Sequence, residues 1–307
     1  KVCGSGLKAV MLADQAIRCG DAEVVIAGGM ENMSQAPYYL LDSRNGMRMG
    51  HKKVVDSLIN DGLWDPYGDI HMGNCAEVLA KEENYSREEQ DSFAVESYRR
   101  SMEAIKKGYF QDEITPVEVP QRKGDPVIVD TDEEPGRGKP EKISKLQPAF
   151  ENEGTITAAN ASSINDGAAA VVIMSAEKSV ELDVSPVCKI ITQASVAQEP
   201  LYFTTAPGEA ISKVLDKSAL SINDIDLFEI NEAFSNVTLA AMRDHNIPHD
   251  KVNVHGGAVS LGHPIGASGA RILVTLISAL NQKDKKLGLA TLCMGGGEAA
   301  AVIVEMI

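Results

Sequence analysis

Two cysteines, a histidine and an asparagine stand in settings suited to acyl chemistry. Cys3 lies where a glycine-started helix begins, in Cys3-Gly4-Ser5-Gly6. Free N–H donors and the helix dipole at such a place favour a thiolate, which makes Cys3 a candidate nucleophile. His263, in Gly262-His263-Pro264-Ile265-Gly266, precedes a second glycine-started helix and is a candidate general base for that thiol. Cys293 runs into Met294-Gly295-Gly296-Gly297, where glycines let the backbone turn its N–H groups inward, as an oxyanion hole requires. A second thiol beside the first, with an ordinary pKa of about 8.5, suits moving a proton on or off carbon. Asn231 falls at a strand–helix junction, where it can cap the helix or orient a water through its amide. Taken singly, each residue has a plainer role: a small buried cap residue, a turn histidine, an incidental hairpin thiol, a helix cap. Together they point to nucleophilic catalysis.

The elements that must position these residues form a repeat. From Gly4, apolar residues Leu7, Val10, Met11 and Ile17 follow helical spacing; the helix stops at Gly20, and a buried strand runs through residues 23–27 to Gly28-Gly29. Residues 266–297 do the same, with helix, lysine-rich turn, strand and glycine turn. The second copy continues at once into an antiparallel strand at residues 299–306, whereas its counterpart at 167–174 arrives only after a long excursion. Symmetry predicts that the two helix starts meet at the centre of the molecule.

The expected organisation is therefore an α/β chain of duplicated halves. Residues 1–31 and 164–178 belong to the first half, 32–163 to an inserted subdomain, and 179–307 to a second half reading βαβαβαββ. That reading has strands at 186–196, 225–230 and 251–255 and helices at 206–220 and 232–243. In the insertion, helices are predicted around 74–83 and 87–107, with a charged Pro/Gly-rich loop over 121–142. The second half spends about 85 residues on what the first half lacks, so the first half is expected to be N-terminally incomplete by about 80 residues. A chain starting at Lys1 is then expected to expose one sheet face and to fold poorly.

Composition narrows the partners. The 307 residues carry 29 Lys and Arg against 44 Asp and Glu, a formal charge of −15, which excludes a surface built to neutralise nucleic-acid phosphates or anionic lipid. Five scattered cysteines with no CxxC pair suit reduced thiols in an intracellular enzyme. Apolar runs such as 168–174 are far shorter than the ~20 residues a membrane span needs. No targeting pattern is present in the chain. Gly4-Ser5-Gly6 with Ala9 imitates a dinucleotide fingerprint, but no strand precedes it and no acid follows the next strand. Cys3, Cys293, His71 and His263 lack zinc-ligand spacing, so no metal is expected.

The four motifs VCGSGLKAV, NEAF, GHPIGASGARI and CMGGG, in this order, closely resemble the thiolase family, and GTITAANASSINDGAAA and SREEQDSFAVESYRRS extend the resemblance from end to end. It implies halves stacked in an αβαβα layered arrangement. Asp69-Ile70-His71-Met72-Gly73 is similar to an element of the short-chain acetoacetyl-CoA branch, which implies an acetyl-CoA C-acetyltransferase. In the implied ping-pong mechanism, Cys3 forms an acetyl-cysteine with His263 as base, and Cys293 exchanges the α-proton of a second acetyl-CoA. One oxyanion site is implied at the N–H groups of Cys3 and Gly295, the other at His263 with a water held by Asn231. Leu63, His71, Met72, Ala158, Ser162 and Phe234 are implied to line the coenzyme A tunnel, with Arg137 or nearby lysines at its phosphate end. Acetyl-CoA, acetoacetyl-CoA and coenzyme A are the implied partners, with a homodimer or homotetramer as the assembly and a mitochondrial or cytoplasmic location. No cofactor is implied: Asp132-Glu133-Glu134-Pro135 stands where one branch places a potassium-site tyrosine, which leaves potassium activation in question. Two other implied readings are a 3-ketoacyl-CoA thiolase of broader chain length and a non-catalytic acyl-CoA- or lipid-binding relative. Cys293 argues against a ketoacyl-type condensing synthase, which carries histidine there.

Overall fold

Two helices meet backbone to backbone, and the strands follow from them. The computed structural model describes residues 1–307. Helix α1 (Ser5–Arg18) leads into β1 (Val24–Asn32), and β2 (Asp166–Met174) returns to pair with β1 antiparallel, Val24 opposite Met174 and Asn32 opposite Asp166. The insertion between them contributes α2 (Met72–Glu82) and α3 (Arg87–Lys107). The second half supplies β3 (Cys188–Ala197), α4 (Ala206–Ser218), β4 (Leu227–Ile230), α5 (Ser235–Asp244), α6 (Ile265–Gln282), β5 (Leu287–Met294) and β6 (Glu298–Met306).

The second-half sheet has the order β4-β5-β6-β3. β4 and β5 are parallel, while β6 is antiparallel to both β5 and β3, so three strands share a direction and the hairpin strand β6 opposes them from inside the sheet. Alternate residues serve the two faces, as the pleat requires. Phe228, Ile230, Leu289, Ala299 and Ile303 pack with Ala210, Ile211 and Val214 of α4 and Ala241 of α5. Leu227, Ala290, Leu292, Ala300, Val302 and Val304 pack with Leu7, Val10 and Met11 of α1 and Ile272, Leu273 and Leu276 of α6. The α1/α6 layer is covered on its other side by β1 and β2, which gives the first four layers of the expected αβαβα order. On the outer face of that strand pair Ile26, Met30 and Val172 are exposed. No helix is long and apolar enough to cross a membrane.

The α1–α6 contact is made by glycines. A Cβ on Gly6 would lie 2.6 Å from the Ala270 nitrogen, and one on Gly269 would overlap the Leu7 amide. Gly29 of β1 likewise lies on the Gly266 carbonyl. The helix starts therefore meet, as the repeat predicts, because neither copy has a side chain in the way.

In the insertion, α3 starts and ends as the sequence predicts. Ser86 and Glu89 form a reciprocal capping box, and Gly108 closes the helix at φ +73°. α2 begins two residues earlier than expected, with His71 as its cap.

Two second-half expectations are corrected. Residues 251–255 form only isolated bridges, not a ladder strand. Asn253 sits at φ +47°, its amide bonds both the N–H and the carbonyl of Ile230, and Arg100 takes the carbonyls of His249 and Val252. The helix predicted from Glu232 starts instead at Ser235. The Ala233 carbonyl is held by the Ser162 N–H and hydroxyl, and the buried Glu232 carboxylate accepts from Ser97, Asn253 and the Val259 N–H. Those bonds pull residues 231–234 out of helical register.

Ala at an interior helix position gains about 1 kcal/mol over Gly in propensity, but overpacking against backbone costs about 1–3 kcal/mol. Gly269→Ala should therefore lower the urea midpoint, whereas Gly136→Ala, in a short helical turn (Glu134–Arg137) and meeting nothing within 4 Å, should leave it unchanged or slightly raised. Equal midpoints for Gly269→Ala and the parent chain would show that the helices do not need this contact.

Candidate active site

Cys3 lies in a 3₁₀ turn (Val2–Gly4) that runs into α1 and packs on α6 and β5. Val2 before it adopts φ +47°, a strained conformation for a β-branched residue. The N–H groups of Gly295 and of Cys3 itself face the Cys3 sulfur and lower its pKa, yet burial, seconded by the Glu31 carboxylate, pushes the thiol up to about 11. This corrects the expectation of a resting thiolate. Glu31 also accepts the Gly266 N–H at the start of α6, at 3.0 Å.

Cys293 ends β5 opposite Ala299. It is buried beside Cys3, and burial, with the Cys3 charge as the lesser cause, holds its thiol well above the ordinary range. His263 is buried ahead of α6. Its N–H donates to the Ser163 carbonyl at 3.1 Å, its Nδ1 lies 2.5 Å from Ser268 Oγ, and its Nε2 has no hydrogen-bond partner. Burial, with the Arg271 guanidinium as the lesser cause, depresses its pKa to about 4, so the ring is neutral. Asn231 follows β4, held by its N–H to the Thr291 carbonyl at 3.0 Å. It does not cap α5, whose N-cap is Phe234. Both polar atoms of its side chain are buried and unpartnered. With no partner in the protein, these three atoms can hydrogen-bond a water or a substrate.

Of the expected tunnel residues, Met72 and Phe234 join Cys293 in one apolar cluster, together with Ile156 and Phe203. Met72 also reaches Gly295: its sulfur is 3.4 Å from where a Cβ there would sit. His71 accepts the Gly73 N–H at Nδ1 (3.0 Å), which leaves the proton on Nε2, and burial keeps the ring neutral. Its ring stacks on Phe150 at 4.9 Å, and Phe150 meets Phe234 edge to face. Ser162 spends its hydroxyl on the Ala233 carbonyl at 3.0 Å. Ala158 is exposed, and Leu63 ends a π-helical turn (Leu58–Leu63) whose Gly62 rests against Ile265. Arg137 pairs with Glu133 and lines a 280 Å³ cavity with Lys139, Lys142 and Tyr98. No three His, Cys, Asp or Glu side chains converge as metal ligands.

The residue-level reading missed Phe150, Phe203 and Ser268. Phe150 and Phe203 sit in loops with no periodicity to mark them, whereas Ser268 lies five residues after His263, within reach of its ring.

The thiolase N-terminal domain model matches residues 1–177 and the thiolase C-terminal domain model residues 184–306. The chain belongs to the thiolase family. This thiolase is 53% identical to an acetyl-CoA acetyltransferase of Pseudomonas aeruginosa over 98% of its own length and 77% of that protein's. It is 52% identical to one of Yarrowia lipolytica over 100% and 76%. A crystal structure of Acat5 thiolase from Ascaris suum in complex with coenzyme A superposes with a TM-score of 0.94 at 45% identity, covering 100% of this thiolase and 78% of that chain. The acetyl-CoA acetyltransferase of Bacillus anthracis gives 0.96 at 41%, covering 100% and 77%.

A Cys3 thiol that is neutral at rest has a kinetic signature. The rate of Cys3 alkylation by iodoacetamide should climb about tenfold per pH unit from about pH 6 to about pH 10, following the thiolate fraction. A plateau beginning near pH 7 would mean a resting thiolate–imidazolium pair instead.

Proposed function

We propose that this thiolase is an acetyl-CoA C-acetyltransferase, joining two acetyl-CoA into acetoacetyl-CoA and coenzyme A and running the thiolysis in reverse. The observation that carries this reading is the Cys3 thiol set beside Cys293 and faced by the Gly295 N–H, together with the unpartnered polar atoms of His263 and Asn231. The identity to acetyl-CoA acetyltransferases supports the substrate.

In the first half-reaction the Cys3 proton passes to His263 Nε2 as sulfur attacks the acetyl carbonyl carbon. The carbonyl oxygen takes the negative charge and accepts the N–H groups of Cys3 and Gly295. The carbon–sulfur bond to coenzyme A then breaks, and the departing thiolate takes its proton from Cys293, which leaves a Cys293 thiolate beside a protonated His263. In the second, the Cys293 thiolate takes an α-proton from another acetyl-CoA, and the enolate oxygen accepts from the protonated His263 Nε2 and from a water on Asn231. The enolate carbon attacks acetyl-Cys3, the carbon–carbon bond forms, and Cys3 leaves as a thiolate that takes its proton from His263, while Cys293 keeps the α-proton, so that the uncharged site is restored. Both oxyanions form where water is excluded, so fixed N–H dipoles act at low dielectric.

The pantetheine arm is assigned to Leu63, His71, Met72, Ala158, Ser162 and Phe234, a mostly apolar lining that suits a neutral flexible chain. Arg137, Lys139 and Lys142 around the 280 Å³ cavity offer cations for its phosphates. Packing of Cys293 among Met72, Phe203 and Phe234 favours a short acyl group over a long one.

Cys3→Ala should abolish covalent labelling by radioactive acetyl-CoA, and Cys293→Ser should slow proton exchange at the acetyl methyl more than it slows labelling. Retained labelling of Cys3→Ala would remove Cys3 as the nucleophile. Thiolysis rates for acetoacetyl-CoA and a long-chain 3-ketoacyl-CoA decide the substrate; preference for the long chain would overturn the acetyltransferase reading.

A further inference from the structure

His263 works as a base only if its free nitrogen faces the thiols, and a neutral imidazole has two tautomers, only one of which leaves Nε2 free. Desolvation leaves the ring neutral, so a local hydrogen bond must choose between them. Three groups meet at the start of α6: the His263 ring, the Ser268 hydroxyl and the Pro264 carbonyl. The Ser268 hydroxyl has one proton, and the Pro264 carbonyl, 2.9 Å away, can only accept. Ser268 is fully buried, so no water competes for that proton. With its proton given to Pro264, the Ser268 oxygen offers lone pairs alone to His263 Nδ1, 2.5 Å away.

We infer that Ser268 is a positioning residue that sets the His263 tautomer, with the proton on Nδ1 and the lone pair on Nε2. The carbonyl–hydroxyl–imidazole chain is built from one helical turn, because Ser268 lies four residues after Pro264 and its hydroxyl bonds back along the helix. The same chain serves the charged state. When Nε2 takes the Cys3 proton, Nδ1–H keeps donating to Ser268, and the ring holds its aim through both proton transfers without rotating. Nothing else bonds to the ring: Nε2 is unpartnered, and the only other His263 hydrogen bond is from its backbone N–H to Ser163. Ser268 is therefore the sole hydrogen-bond partner of the imidazole within the protein.

The mechanistic use of the tautomer rests on the acetyltransferase reading, but the tautomer itself does not, and the two are separated by the experiment. Nitrogen-15 NMR of the histidine-labelled chain, with His263 assigned by its loss in His263→Asn, should show a pyrrole-type Nδ1 and a pyridine-type Nε2. The reverse pattern in the parent chain overturns the inference, whatever the enzyme's substrate. Ser268→Ala should give a mixed or inverted pattern and lower kcat for acetoacetyl-CoA thiolysis about 10–100-fold, the loss usual for removing the partner that orients a working histidine. KM should stay within about twofold, because Ser268 holds a base and touches no substrate. Ser268→Thr, which keeps the hydroxyl, should restore both the pattern and the rate. An unchanged tautomer and kcat in Ser268→Ala would overturn the inference, and a tautomer as inferred in a chain without thiolysis activity would overturn only the acetyltransferase reading.

Discussion

The close approach of α1 and α6 is the constraint from which the site follows. Gly6 and Gly269 let the two backbones touch, which packs the start of α1, preceded by Cys3, against the start of α6, preceded by His263. A pair of alanines would hold the helices further apart, and a thiol–imidazole pair tolerates little displacement, since proton transfer needs hydrogen-bond reach. β5, pinned beneath both helices by Leu292 and Ala290, brings Cys293 beside Cys3. Asn231 arrives with it, because its N–H is laddered to Thr291 two residues earlier in that strand.

Within this frame burial sets the electrostatics. The rise of the Cys3 thiol from 9.0 to about 11 is worth about 3 kcal/mol, more than the about 0.3–1 kcal/mol a helix start contributes. His263, at about 4, is equally unwilling to carry charge. The resting site is therefore uncharged, and its dipoles meet charge only when a reacting carbonyl creates it. In the proposed mechanism, a centre of this kind protects Cys3 from adventitious electrophiles and leaves the Gly295 N–H to meet charge only in the transition state.

Much of this was legible because the chemistry-bearing residues sit next to glycines that repeat. The pattern of glycine, helix, strand and glycine located Cys3, His263 and Cys293 and predicted that the helix starts converge. α3 was legible to the residue because its capping box and closing glycine are local signals. What stayed hidden depended on partners far along the chain. Residues 251–255 look like a strand, yet Asn253 gives its hydrogen bonds sideways to Ile230. Glu232 looks like the first turn of a helix, yet its carboxylate is bound from α3 and from Val259. Phe150 and Phe203 carry no periodicity, and only the folded insertion brings Phe150 to His71 and Phe203 into the cluster around Cys293. The helix dipole at Cys3 was legible, but the depth of the sulfur, which outweighs it, was not.

The place of β6 inside the second-half sheet carries a consequence for biosynthesis. β3 has no ladder partner except β6, which follows it only after about 100 residues. At about 5–20 residues per second of synthesis, β3 waits on the order of 5–20 s with both edges unpaired. Its contacts are among the most distant in sequence, so the half closes late and as one unit. Until it closes, a strand carrying Ile190, Ile191 and Val196 is open to pairing with neighbouring nascent chains. A thiolase of this topology is thus exposed to co-translational aggregation until β6 emerges to pair with β3.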